Sequence, residues 1–358
     1  FGGNNMKKDF KLNVNFPWGK YFKENKIIYK ILLILVVFMV LLFNSTHIIA
    51  ELQWFQEVGY TRTYLTRALA VAGLTLPIFL IFFTISILYY KSIAKKYDLV
   101  AYPKKTPKEI KTRNRFVYIA AGIFFLIVSY GLARDNWYII LQYFNSVDFM
   151  EVDPIFMKDI SFYVFRLPFY QLLISMSLSV VVLLIVLTVF IYLGIAAKSS
   201  INRLNFRNLQ GILHVIKSGF IQFAGKALAM LIALYMLLLA LKYYMDAYLL
   251  MFNESGVVYG PGFTDVRVHM PFLRAMAVLA ALSSLVVAYG ILKRKVKFIA
   301  YPVVLIFALG LVRVFVGLGV EALVVNPNQL ERERMYIANN ITMTRQAFGI
   351  DNVDIRIF

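Results

Sequence analysis

Apolar and polar residues in this chain separate into long blocks instead of alternating at the period of a soluble core. Seven stretches are almost continuously apolar: Ile27–Ala50, Leu65–Tyr90, Phe116–Ala133, Leu167–Ala196, Gly225–Met245, Met270–Leu292 and Phe298–Val325. About 20 helical residues cross the roughly 30 Å hydrocarbon core of a bilayer. Inside lipid every backbone N–H and C=O must bond within the protein, so each run is predicted to be a transmembrane helix. The first run is too long for the core of a signal peptide, and no small-x-small cleavage pattern follows it, so it reads as a retained span. The predicted fold is all-α: a polytopic transmembrane helix bundle of about seven spans over residues 27–325. Residues 1–26 precede it, and 326–358 begin something else. The FGGNN ahead of Met6 is read as an added leader and carries no weight.

Between the runs, two segments have helical amphipathic spacing. Leu209, Ile212, Leu213, Ile216, Phe220 and Phe223 share one side, with Gln210, His214 and Lys217 opposite. Trp137, Ile140, Leu141 and Phe144 do the same beside Gln142 and Asn145. Both are expected to lie at membrane interfaces, with Trp137, Tyr138, Trp54 and Phe55 in the outer aromatic belt. Small residues at Ala277/Ala281, Ala280/Ser284/Ala288, Gly310 and Gly317 suit close helix packing. Pro77 is expected to kink the second span, and Pro168 to sit where a helix begins. Asn326-Pro327-Asn328 is placed to cap a further helix through Leu330, Ile337 and Ile341, and Gly349 to end it. Val353, Ile355 and Ile357 then alternate with Asp354 and Arg356 as a half-buried strand would, which implies the start of an extracytoplasmic domain.

Composition agrees with the pattern: 60% of residues are hydrophobic and 16% charged, which excludes an ordinary soluble domain. With no cysteine, disulfides, thiolate metal sites and cysteine nucleophiles are excluded. The net charge of +19 invites a nucleic-acid reading, above all at KKYDLVAYPKKTPKEIKTRNR, residues 95–115. The distribution of charge argues otherwise. Residues 1–30, 91–115, 197–226 and 293–297 hold 25 Lys and Arg against 4 acids, whereas 51–67, 134–166, 242–274 and 321–358 hold 12 against 15. This alternation is the positive-inside bias, and it puts the N-terminus in the cytoplasm and the C-terminus outside. The basic loops then face anionic lipid headgroups, and no nucleic-acid partner is expected, since residues 95–115 lack the aromatic interleaving of a single-strand groove.

Catalytic signatures are missing: no H-E-x-x-H, G-x-S-x-G or G-x-x-x-x-G-K-[ST] occurs. The glycines of GVVYGPGFTD, 256–265, read as an outer-loop turn. His47, His214 and His269 are scattered, and no metal or cofactor site is expected from them. Asp148, Glu151 and Asp153 form an outer-loop acidic cluster that lacks the order of a calcium loop. Arg313 is the charge placed inside a span, where a charge is costly and calls for a partner. Asp246 and Glu321 are the partners on offer. Two uses of Arg313 stay open, a structural pairing or snorkelling role and a substrate or ion path.

The stretches WFQEVGYT (54–61), DPIFMKDISFYVFRLPFY (153–170), GVVYGPGFTDV (256–266) and NPNQLERERMYIANNITMTRQAFGI (326–350) resemble the bacterial uncharacterised protein family 0182. The resemblance covers the chain from about residue 50 to its end and implies a seven-span membrane domain followed by a large extracytoplasmic region. It implies no activity. Pro261, Arg267 and Met335 stand where that family often has Ala, His and Pro, so no binding residue is carried over. The expected role is a multi-pass protein of the bacterial cytoplasmic membrane that anchors and orients an extracytoplasmic domain. The alternative is a transporter or channel with a path near Arg313. No enzyme activity is expected.

Overall fold

A computed structural model describes residues 26–101, 107–201, 225–350 and 353, apart from 255, 257, 258, 294 and 296. Among the described residues seven long helices follow the seven apolar runs: α1 Lys26–Glu57, α2 Thr61–Ala101, α3 Pro107–Phe144, α4 Leu167–Ile201, α5 Gly225–Leu249, α6 Met270–Lys293 and α7 Lys297–Val320. An eighth, α8, spans Gln329–Ala347. By length and composition six of the helices, α2 to α7, can cross a membrane. Among the described residues there is no strand, only a single antiparallel bridge between Val152 and Asp159. The predicted amphipathic segment 209–223 lies outside the described residues, as does the 353–357 strand apart from Val353. Trp137–Phe144 is helical and runs on from the third span without a break.

The chain divides into two units, residues 1–69 and 70–358. In the first, Gly59 at φ 79° turns the chain between α1 and α2, and Arg67 pairs with Glu51 at 2.7 Å. A positive φ is open to glycine because it has no Cβ.

In the second unit, α5 packs most closely on α6, with α4 against α5 and α7 against α6. Its centre is Met236 and Ala240 of α5, Met276 and Ala280 of α6, and Ile306 of α7. The buried stripe of α6 is Leu273, Met276, Ala280, Ser283 and Val287, spaced i, i+3, i+7 as helices in bundles space their contact residues. Ala280 lies in that stripe, but Ser283 takes the buried place expected for Ser284, and Ala288 is exposed. Gly310 faces Met276, whose Cε would lie 3.8 Å from an added Cβ. Tyr89 of α2 hydrogen-bonds Thr188 of α4, so an otherwise unpaired hydroxyl is satisfied inside the apolar layer.

Among the described residues three π-helical turns break the α-helical register, at Phe162–Arg166, Asp265–His269 and Glu321–Val325. Each closes with a hydrogen bond reaching back five residues: Leu167 N–H to Phe162 O, Met270 N–H to Asp265 O, and Asn326 N–H to Glu321 O. In every case a proline stands two residues after the turn, Pro168, Pro271 and Pro327. Proline gives no N–H and its ring crowds the carbonyl four residues back. Widening the preceding turn relieves that crowding while the helix continues. Pro168 therefore does not open a helix as expected; helical backbone already runs through Phe162–Arg166 ahead of it.

Candidate functional site

All three π turns lie at the end of the unit where the loops 145–161 and 253–264 and the helix α8 are found. The first loop is built around two aspartates. Asp153, 2% exposed, accepts the backbone N–H groups of Ile155, Phe156 and Lys158 at 2.6–2.9 Å. It also accepts the hydroxyl of Tyr163 at 2.8 Å from the π turn. Asp159 accepts Phe149, Met150 and Ser161 N–H; hydrogen bonding from the Ser161 side chain first, and then these backbone groups, hold its carboxyl below the usual carboxylate range. Asp148 pairs with Arg166 at 2.9 Å on the surface, and Glu151 is exposed. The predicted acidic cluster thus has its carboxylates turned to separate tasks. Among the described residues no three His, Asp or Glu side chains are disposed to hold a metal ion.

The second loop is tied down at both ends. Asp265 Oδ2 accepts the Asn253 amide at 2.6 Å and Gly262 N–H at 3.1 Å. Glu321, from the third π turn, accepts the Thr264 hydroxyl. Helix α8 closes the assembly: Glu333 Oε1 accepts Phe263 N–H at 2.9 Å, the Asn340 amide donates to Tyr259 O at 2.7 Å, and Arg332 lies over the Phe263 ring. Gly262 leaves just enough room, since a Cβ there would come within 3.1–3.4 Å of the Glu333 carboxylate.

Helix α8 is seated by its polar side. Glu333 and Tyr336 are buried, at 6% and 8% exposed, while Leu330 and Ile341 stand 78% and 47% exposed. Polar groups on the loop need partners more than the apolar side chains need cover, so the helix turns its hydrogen-bonding side inward. Its ends match expectation. Asn328 is the first cap residue, although its amide reaches the Glu331 carboxylate and not a backbone N–H. Gly349 at φ 65° closes the helix, with its N–H on Gln346 O and Ile350 N–H on Arg345 O.

Between the two loops and α8 lies a cavity of about 260 Å³, lined by Tyr163, Phe252, Tyr259, Tyr336, Asn339 and Met343 among others. It is mostly aromatic and apolar, with amide groups at one side.

Arg313 is half-buried on α7, on one stripe with Gly317 and Glu321. Among the described residues no carboxylate forms an ion pair with it: Asp246 pairs with Lys242 at 2.6 Å, and Glu321 is turned to Thr264. The imidazole of His269 presses on Gly317, where an added Cβ would meet Cε1 at 2.5 Å, and its Nδ1 is buried with no hydrogen-bond partner among the described residues. Glu333, Tyr163 and Asn340 were not singled out by sequence, and His269 was named there only among the scattered histidines. Part of the signal lay in Pro168, Pro271 and Pro327, each two residues after a π turn, a geometry that recurs at functional sites; Pro77 and Pro302 lie inside α-helices without one.

The residues that build this end are those of the sequence stretches 153–170, 256–266 and 326–350. The model of the uncharacterised protein family UPF0182 matches residues 28–358. The chain belongs to the UPF0182 family. Relatives include UPF0182 proteins of Clostridium perfringens, 35% identical over 93% of this chain, Clostridium kluyveri, 34% identical over 91%, and Clostridium tetani, 35% identical over 93%. The chain spans 36% of the length of each of these UPF0182 relatives. No solved structure matches it.

Proposed function

We propose that this UPF0182 region is a membrane anchor whose loop-bearing end seats and orients an extracytoplasmic domain at the bacterial envelope. The observation that carries the reading is the mounting of α8. One side is fixed to the loops by Glu333 and Asn340, while Leu330, Ile341 and Phe348 stay exposed on the remainder. Exposed apolar side chains on a rigidly held helix suit contact with further polypeptide, and nearly two thirds of each relative lies outside the matched stretch. Charge supports the sidedness: the basic loops belong in the cytoplasm against anionic lipid, and the loop-bearing end outside. The reading is tested in a strain lacking the full-length protein. The full chain should restore the phenotype, and the bundle ending at residue 350 should not; restoration by the bundle alone overturns the anchor reading.

A second reading, a transport path, draws on Arg313, half-buried and, among the described residues, without an ion-paired carboxylate. A charge so placed is a functional hypothesis in its own right. Solute or ion flux in proteoliposomes that falls on Arg313→Ala, with folded yield unchanged, would favour it.

A further inference from the structure

A second polar site lies away from the loops, on the side of the bundle. Gln171 and Ser175 of α4 and Lys242 and Asp246 of α5 are each spaced i, i+4, and all four open on one cleft of about 170 Å³ between the helices, floored by Met245 and Leu249. Such a volume is small against the roughly 300–1,000 Å³ of a pocket for a drug-sized ligand. Gln171 stands nine residues beyond Phe162 and Lys242 ten before Phe252, about 14 Å down from the helix ends at 1.5 Å per residue. By the apolar runs Leu167–Ala196 and Gly225–Met245, Gln171 lies four residues and Lys242 three residues inside the outer ends of their spans, at headgroup depth.

Its polar groups are incompletely satisfied. Lys242 Nζ gives one bond to Asp246 Oδ2 and is 43% exposed, yet an ammonium carries three N–H donors. The Gln171 and Ser175 side chains make no hydrogen bond among the described residues, and Asp246 keeps Oδ1 free. Unmet donors and a free carboxylate oxygen facing lipid are costly unless the lipid answers them. The site offers a cation with two further donors and, beside it, an anion, for a net charge of zero.

We propose that this cleft holds the headgroup of a phosphatidylethanolamine-type lipid, its phosphate on Lys242, Gln171 and Ser175 and its ammonium on Asp246. Choline has no N–H for Asp246, and an anionic glycerol headgroup brings no positive charge to it. The proposal is independent of the anchor reading, because the cleft uses none of the loop residues.

The test uses the delipidated protein in detergent, titrated separately with phosphatidylethanolamine, phosphatidylcholine and phosphatidylglycerol of the same acyl chains, with bound lipid counted by native mass spectrometry. One phosphatidylethanolamine should be retained about tenfold more tightly than the others, the equivalent of one well-made polar contact. Gln171→Leu and Ser175→Ala, which leave the ion pair intact, should weaken it several-fold, and Asp246→Asn should abolish the preference over phosphatidylcholine. Equal retention of the three lipids, a preference for phosphatidylglycerol, or unchanged retention in Gln171→Leu overturns the proposal.

Discussion

Gly317→Ala tests the contact between α7 and the second π turn. The new Cβ would sit 2.5 Å from His269 Cε1 and 2.9 Å from Nε2, where well-packed carbon atoms stay about 3.5–4.0 Å apart. The imidazole must retreat by about 1 Å, and it is held on a turn whose next residues, Met270 and Leu273, are buried. Overpacking of this kind costs about 1–3 kcal/mol, against about 0.5–1 kcal/mol gained by replacing a helical glycine with alanine. The net effect should be destabilising by up to about 2.5 kcal/mol, the difference of those ranges. His269→Ala removes the obstacle, so in that background Gly317→Ala should stabilise. The assay is reversible unfolding in mixed micelles on all four members of the cycle, and the coupling should be about 1–3 kcal/mol. If Gly317→Ala shifts stability by the same amount and sign in both backgrounds, the ring does not fill the space that the glycine leaves.

Other consequences follow from the loops. Tyr163→Phe leaves the buried Asp153 carboxylate one donor short and should destabilise by about 1–3 kcal/mol in the same assay, whereas Tyr259→Phe, whose ring is exposed, should change little. Asp159 has a carboxyl held low by its bonds to Ser161, Phe149 and Met150, so the order it gives the 148–161 loop is present above the ordinary carboxylate pKa. That order is lost as pH falls through its lowered folded value. Proteolytic cutting of this loop should rise at the acid end of the range and not at the alkaline end. Glu333→Leu removes the acceptor of Phe263 N–H and should raise amide exchange in both α8 and residues 259–264, leaving α6 protected.

The spans were legible because the hydrocarbon imposes a length and a composition that no tertiary contact overrides; all seven runs are helical, the second and third extended by a turn or more at both ends and the sixth by a single residue. The Gly349 stop was legible for a similar reason, since a positive φ at a helix end selects glycine locally. The face of α8 was not. Leu330, Ile337 and Ile341 form a clean apolar line, but burial went to Glu333 and Tyr336 because the partner surface is a hydrogen-bonding loop about 70 residues away in sequence. The partners of Arg313 were equally hidden: Asp246 lies close enough to Lys242 on its own helix to be neutralised there, a local contact that competes with any distant one. The π turns were not legible from proline alone, because Pro77 and Pro302 also sit inside apolar helix and leave the α-helical register unbroken.

The central claim is that loop 253–264 and α8 share the outer side of the membrane, opposite the basic loops. Since the chain has no cysteine, single cysteines can be placed at the exposed positions Tyr259, Arg334, Lys108 and Lys293 and challenged with an impermeant maleimide in intact cells. Cysteines at 259 and 334 should label at once, and those at 108 and 293 only after permeabilisation. Labelling of 108 or 293 in intact cells, or of 259 without 334, would contradict the account.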